Sequence, residues 1–77
     1  MKDKIVSILS KIRPEFDFTE PVNFIEEGML DSFDVVSLVV ELDNEFKTSI
    51  DGVDIIPNNF SSVENIIALL EKKSEKS

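Results

Sequence analysis

Apolar residues near the start of the chain fall at Ile5, Val6, Ile8, Leu9 and Ile12, a helical spacing with lysines on the other side. Pro14 stops this first helix, because the residue before a proline is pushed out of the helical region. A second run, SFDVVSLVVELDNEF from Ser32 to Phe46, is rich in valine and has the composition of a strand. Spacing decides otherwise. Its polar positions Asp34, Ser37, Glu41 and Glu45 make one stripe on a helix, whereas a strand would send Asp34 and Ser37 to opposite faces. Leu38, Val39, Leu42 and Phe46 are then its core residues. A third helix is expected in SSVENIIALLEKK, where Ser61 and Glu64 have capping-box spacing and Val63, Ile66, Ile67 and Leu70 form the apolar stripe.

The connections are unequal. Residues 14–30 hold two of the three prolines and Gly28, and a connection this long in a compact domain is usually functional or disordered. Phe16, Phe18, Val22, Phe24, Ile25, Met29 and Leu30 give it the anchors to lie over the helix ends. Between the second and third helices, Asp51 is placed to cap a short turn through Asp54 to Ile56, interrupted by Pro57. The expected fold is all-α: a small bundle of three main helices plus one short helix, with a long loop between helices one and two. A chain of 77 residues reads as a single domain over residues 1–77, with 74–77 as a frayed tail.

Composition narrows the chemistry. There is no cysteine and no histidine, which removes disulfides, thiolate nucleophiles, Cys/His zinc sites and any Ser–His arrangement. Asp51 and Asp54 beside Gly52 lack the ligand order of a calcium loop, so no metal is expected. No catalytic residue is expected either. Net charge is −8, and residues 14–46 contain ten acids and no base. That sign opposes nucleic-acid binding and leaves either a solvated acidic surface or a face for basic partners. No apolar run approaches the roughly 18 residues of a membrane span, and the start MKDKIVSILSK lacks the apolar block of a signal peptide. A cytoplasmic monomer is the expectation.

Ser32 stands out because of its position. Asp31 is placed to cap the second helix by accepting the amide of Phe33 or Asp34, which puts Ser32 in the first turn with its hydroxyl toward solvent. Without an imidazole or a Gly-x-Ser-x-Gly elbow it is no ordinary hydrolase nucleophile. From the Asp-Ser pair alone, a plain helix-start serine is the simpler reading.

Over essentially its whole length, however, the chain resembles the acyl carrier proteins of the phosphopantetheine-dependent type. Gly28, Leu30, Asp31, Ser32 and Phe33 carry the match, followed by Val36, Leu38, Leu42, Glu45 and Phe46, then NNFSSVENI from Asn58 to Ile66. The resemblance implies that Ser32 receives 4′-phosphopantetheine from coenzyme A through a separate transferase, and that Asp31 helps that transferase recognise the site. It implies further partners: an acyl- or aminoacyl-loading ligase, and synthases or transferases with a basic docking patch. Asp34, Val36, Val40, Glu41 and Asp43 correspond to the docking positions. The implied function is a noncatalytic carrier that holds a carboxylic acid as a thioester, as in fatty acid or polyketide biosynthesis. Two departures bear on the cargo. Ser37 and Asn44 stand where fatty-acid carriers commonly have glutamates, and the GMLDSF entry looks more like D-alanyl carriers and the carriers of specialised pathways. A D-alanyl or other aminoacyl carrier for cell-envelope or secondary metabolism is the alternative within the class. An unmodified acidic helical adaptor is the alternative outside it.

Overall fold

The computed structural model describes residues 1–74. Three α-helices, α1 (Lys2–Ile12), α2 (Ser32–Phe46) and α3 (Val63–Ser74), are joined by a long irregular segment and by two short 3₁₀ turns, Gly52–Asp54 and Pro57–Phe60. The bundle therefore contains two short turns where one was expected. Pro57 does not simply break a turn. It opens the second one, where its fixed φ and missing N–H are tolerated. Ser74 closes α3 instead of beginning the tail; the rest of the expected tail lies outside the described residues.

One apolar cluster joins all three helices and both connections. Ile5 and Leu9 from α1, Leu38 and Leu42 from α2, and Ile66 and Leu70 from α3 are almost wholly buried in it. The long segment contributes Phe18 and Phe24, whose rings meet edge to face with centroids 5.0 Å apart, and Phe60 enters from the second 3₁₀ turn. Edge-to-face contact suits the opposite charges of ring face and ring edge. The segment is thus packed by its own aromatic residues.

Helix α1 runs antiparallel to α2, as their ion pairs require. Lys4 meets Glu45 at 2.9 Å, Lys11 meets Glu41 at 3.6 Å and Arg13 meets Asp34 at 2.7 Å, so the order along one helix reverses along the other. The stripe of polar positions on α2 therefore borders α1. In α3 the buried set is Val63, Ile66, Leu69 and Leu70, with Ile67 only half-buried, so the apolar face is rotated slightly from the expected stripe.

The helix start differs as well. Ser62 caps α3, its hydroxyl oxygen accepting the Asn65 amide at 3.1 Å. Ser61 is buried and donates its hydroxyl to the Asn58 carbonyl at 3.0 Å. Spacing to Glu64 was a weaker determinant than the demand of that buried hydroxyl for a partner.

A separate set of ion pairs holds the region after α2. The side chain of Lys73 on α3, only 6% exposed, lies against Asp54 and also reaches Asp51 at 3.1 Å. Its hydrogen bond holds the Asp54 carboxyl below the ordinary value of 3.8, and Asp54, then Asp51, hold Lys73 above the ordinary 10.5. The unfolded chain takes up the Asp54 proton more readily than the folded one. The carboxylate's contribution is therefore complete above the unfolded value and is lost as pH falls through the folded one. Lys73 contributes in the opposite sense, lost only as pH rises through its folded value. Thermal melts followed by circular dichroism should be nearly flat from pH 6 to 8 and fall below about pH 4. In Asp54→Asn the fall should be shallower from a lower plateau.

Candidate functional site

Helix α2 opens with a reciprocal cap made of two aspartates. Asp31 Oδ1 accepts the Asp34 amide at 2.9 Å, and Asp34 Oδ2 accepts the Asp31 amide at 3.1 Å. This satisfies two of the donors that a helix start leaves without intrahelical partners. The turn before it is set by Gly28, whose φ of 73° is a conformation other residues adopt at a cost. Beyond Gly28, the amides of Met29 and Leu30 both close on the Phe24 carbonyl, at 2.9 and 3.3 Å. Leu30 is buried, and Asp31 and Ser32 emerge at the surface.

Ser32 is the first residue of α2, exposed, at the positive end of the helix dipole. Beside it lies an open groove of about 370 Å³. Ile25, Leu30, Val35, Val36, Ile55, Ile56 and Pro57 give this groove a mostly apolar wall, and Asp31 and Ser32 form its polar lip.

The electrostatics at the helix start are balanced by one cation. Arg13, at the end of α1, donates Nε to Asp34 at 2.7 Å, a terminal nitrogen to Asp31 at 3.4 Å, and the other to Glu15 at 3.0 Å. Its pKa is raised, chiefly by the hydrogen bond to Asp34 and next by that to Glu15. Asp31 is held below the usual carboxylate range, chiefly by the Asp34 amide. An anion attached at Ser32 would thus share the helix start with two carboxylates already using its amides. The guanidinium behind them offsets part of that repulsion. Arg13 was not singled out from the sequence, because Asp31 and Asp34 lie 18 and 21 residues away along the chain and meet it only when α1 and α2 pack antiparallel.

The other α2 positions divide by face. Val36 and Val40 point outward, 53% and 55% exposed, and Phe33 is 78% exposed. The acids expected to face partners each have a contact within the chain. Asp34 is only 8% exposed and bound to Arg13, and Glu41 pairs with Lys11. Asp43 accepts the Thr48 hydroxyl at 2.8 Å and the Ile50 amide at 3.2 Å, fixing the chain just after α2. For Asp34 the burial is decisive: a carboxylate capping a helix and facing a guanidinium has little surface left to offer. Among the described residues no helix is long and apolar enough to cross a membrane, and no group of three or more carboxylates is gathered to hold a metal ion. Asp51 and Asp54, next to Gly52, instead both bind Lys73.

A family model described as the phosphopantetheine attachment site matches residues 3–70. The chain belongs to this family. Among curated proteins it is 28% identical over 78 residues to a D-alanyl carrier protein of Lactococcus lactis subsp. cremoris, covering 99% of both chains. It is 33% identical over 72 residues to an acyl carrier protein of Thermotoga maritima, covering 91% of this chain and 86% of that one. A D-alanyl carrier protein of Staphylococcus saprophyticus is 26% identical over 73 residues, covering 92% and 94%. The protein is a phosphopantetheine-dependent carrier, a substrate on which enzymes act and not itself an enzyme.

The residues at the start of α2 fit such a group. A tether needs an accessible hydroxyl on a rigid element, and Ser32 supplies one on a helix fixed by its cap. When bound, phosphopantetheine supplies a terminal thiol for thioester chemistry, which this cysteine-free chain cannot supply.

Proposed function

We propose that residues 1–77 act as one carrier domain, monomeric and cytoplasmic, with Ser32 as the attachment point. In this reading the Ser32 oxygen forms a bond to the pantetheine-bearing phosphorus of coenzyme A. The pyrophosphate P–O bond breaks, adenosine bisphosphate leaves, and the serine proton passes to a base of the transferase. Asp31 keeps α2 fixed behind the hydroxyl and marks the site for that transferase. The observation that carries the reading is the outward Ser32 at the first position of a helix whose cap is closed by its neighbours on either side.

A ligase then loads a carboxylic acid on the thiol, and synthases or transferases with complementary docking surfaces take it away. The chain's own residues present the arm and keep the fold. Val36 and Val40 face those partners, whereas Asp34, Glu41 and Asp43 are assigned to holding α2 against α1 and the following loop.

For the cargo, an aminoacyl group such as D-alanine is the second reading, and one observation favours it. A D-alanyl carrier aligns with this chain over 99% of both lengths, where the acyl carrier protein covers 91% and 86%. The GMLDSF entry and the neutral Ser37 and Asn44 point the same way.

Incubation with coenzyme A and a broad-specificity phosphopantetheinyl transferase tests the carrier reading. Intact mass should rise by one phosphopantetheine, and the product should titrate as about one free thiol per chain, where the starting protein has none. A folded sample that gains neither mass nor thiol, beside a working control carrier, would favour the unmodified adaptor.

A further inference from the structure

Arg13 joins the end of α1 to the start of α2. Its Nε and the Asp31 amide end on the same atom, Asp34 Oδ2, at 2.7 and 3.1 Å. A terminal nitrogen reaches Asp31 Oδ2 at 3.4 Å, while the other oxygen of Asp31 accepts the Asp34 amide at 2.9 Å. The guanidinium thus touches both members of the cap. Glu15 holds its second terminal nitrogen at 3.0 Å, so the fork is fixed on its far side as well. No neighbour is placed to take over. Residues 14–46 hold no base, and Lys11, the preceding cation on α1, pairs with Glu41 about two turns further along α2.

Asp34 is buried, 8% exposed. A carboxylate taken out of water needs a charged partner, and removing that partner strands the charge. Without the guanidinium, Asp34 Oδ2 would keep one neutral amide and would share the helix start with the Asp31 carboxylate. Turned out to solvent, the Asp34 carboxylate regains its hydration, and in turning it gives up the Asp31 amide. The cap then opens. Ser32 is the first helical residue and follows Asp31 directly, so its hydroxyl keeps a fixed direction only while the cap is closed. We infer that Arg13 is a positioning residue for the modification: it keeps the Asp31–Asp34 cap closed and so holds the hydroxyl of Ser32, taken as the attachment point, where the transferase can use it.

The test pairs steady-state modification by a broad-specificity transferase and coenzyme A with hydrogen exchange of the Asp31 and Asp34 amides, read by NMR. Arg13→Gln should raise KM about tenfold with kcat within about twofold, because the enzyme then binds only the fraction of molecules whose cap is closed. Both amides should exchange about tenfold faster through the same opening. Adding Asp34→Asn removes the stranded charge and leaves an oxygen for the Asp31 amide, so KM should return to within about threefold of the parent. Adding Glu15→Gln instead restores the same net charge but leaves Asp34 stranded, and KM should stay high. An unchanged KM in Arg13→Gln overturns the inference, as does a rise that Asp34→Asn fails to reverse or that Glu15→Gln reverses equally. Arg13→Lys keeps the charge without the fork and decides the matter if the glutamine variant does not fold. Its KM should rise about threefold with faster exchange at Asp31, and parent values for both overturn the inference. An unsubstituted protein whose two amides are protected but which takes no phosphopantetheine refutes Ser32 as the attachment point, and the positioning role falls with it.

Discussion

Ser32→Ala should abolish modification completely while leaving the thermal midpoint within about 2 °C of the parent protein. The first half follows from chemistry: without the hydroxyl no phosphoester forms, and the chain has no cysteine to act in its place. The second half follows from structure. Ser32 is exposed and makes no contribution to the cap, which runs between Asp31 and Asp34. Alanine is a strong helix former, and removing an exposed hydroxyl from the first turn leaves no buried donor unsatisfied. Intact mass measures the first effect and circular dichroism melts the second. The contrast separates an attachment role from a structural one. Residual modification at a rate near that of the parent would place the attachment point elsewhere. A large loss of stability would show that the hydroxyl holds the helix start.

Phe60→Ala should be the most damaging single change to the fold. Phe60 is fully buried where the second 3₁₀ turn meets the core. Truncating such a ring removes its contacts and leaves a cavity that rigid neighbours fill only in part, at a cost of roughly 3–5 kcal/mol. A domain of this size has about 4–12 kcal/mol of total stability. The loss is therefore a large share of the whole, and about 4–8 °C of midpoint goes with each kcal/mol. Urea unfolding should show a much lower midpoint with an unchanged slope. Phe60→Leu should retain most of the stability. A loss below about 1 kcal/mol for the alanine variant would mean that the ring is not held as the structure has it.

Much of the fold is legible along the chain because its signals are local. Pro14 ends α1, Asp31 caps α2, and the spacing of Asp34, Ser37, Glu41 and Glu45 rules out a valine-rich strand. The long segment is readable as packed because its phenylalanines have no other reason to be so frequent. Less legible are features set by what lies across the bundle. Ser61 and Ser62 are adjacent and chemically alike; burial of the first leaves the cap to the second. Pro57 reads as an interruption until Phe60 is seen to need a turn to reach the core.

The candidate site divides in the same way. Ser32 and Asp31 are set by the sequence around them, so their place at the helix start could be read. The fate of the α2 acids depends on α1. An acid stripe on an amphipathic helix is indistinguishable from a docking face until the neighbouring helix brings Lys4, Lys11 and Arg13 to it. Arg13 itself looks like a helix-end residue whose charge suits the dipole, and only the packed structure links it to the cap beside Ser32.

The central claim concerns one oxygen atom, and peptide mapping of the modified protein addresses it most directly. Tandem mass spectrometry of the digested product should place phosphopantetheine on the fragment that contains Ser32, and on that serine within it. Finding the group on any of the other serines, or on none, would contradict the account.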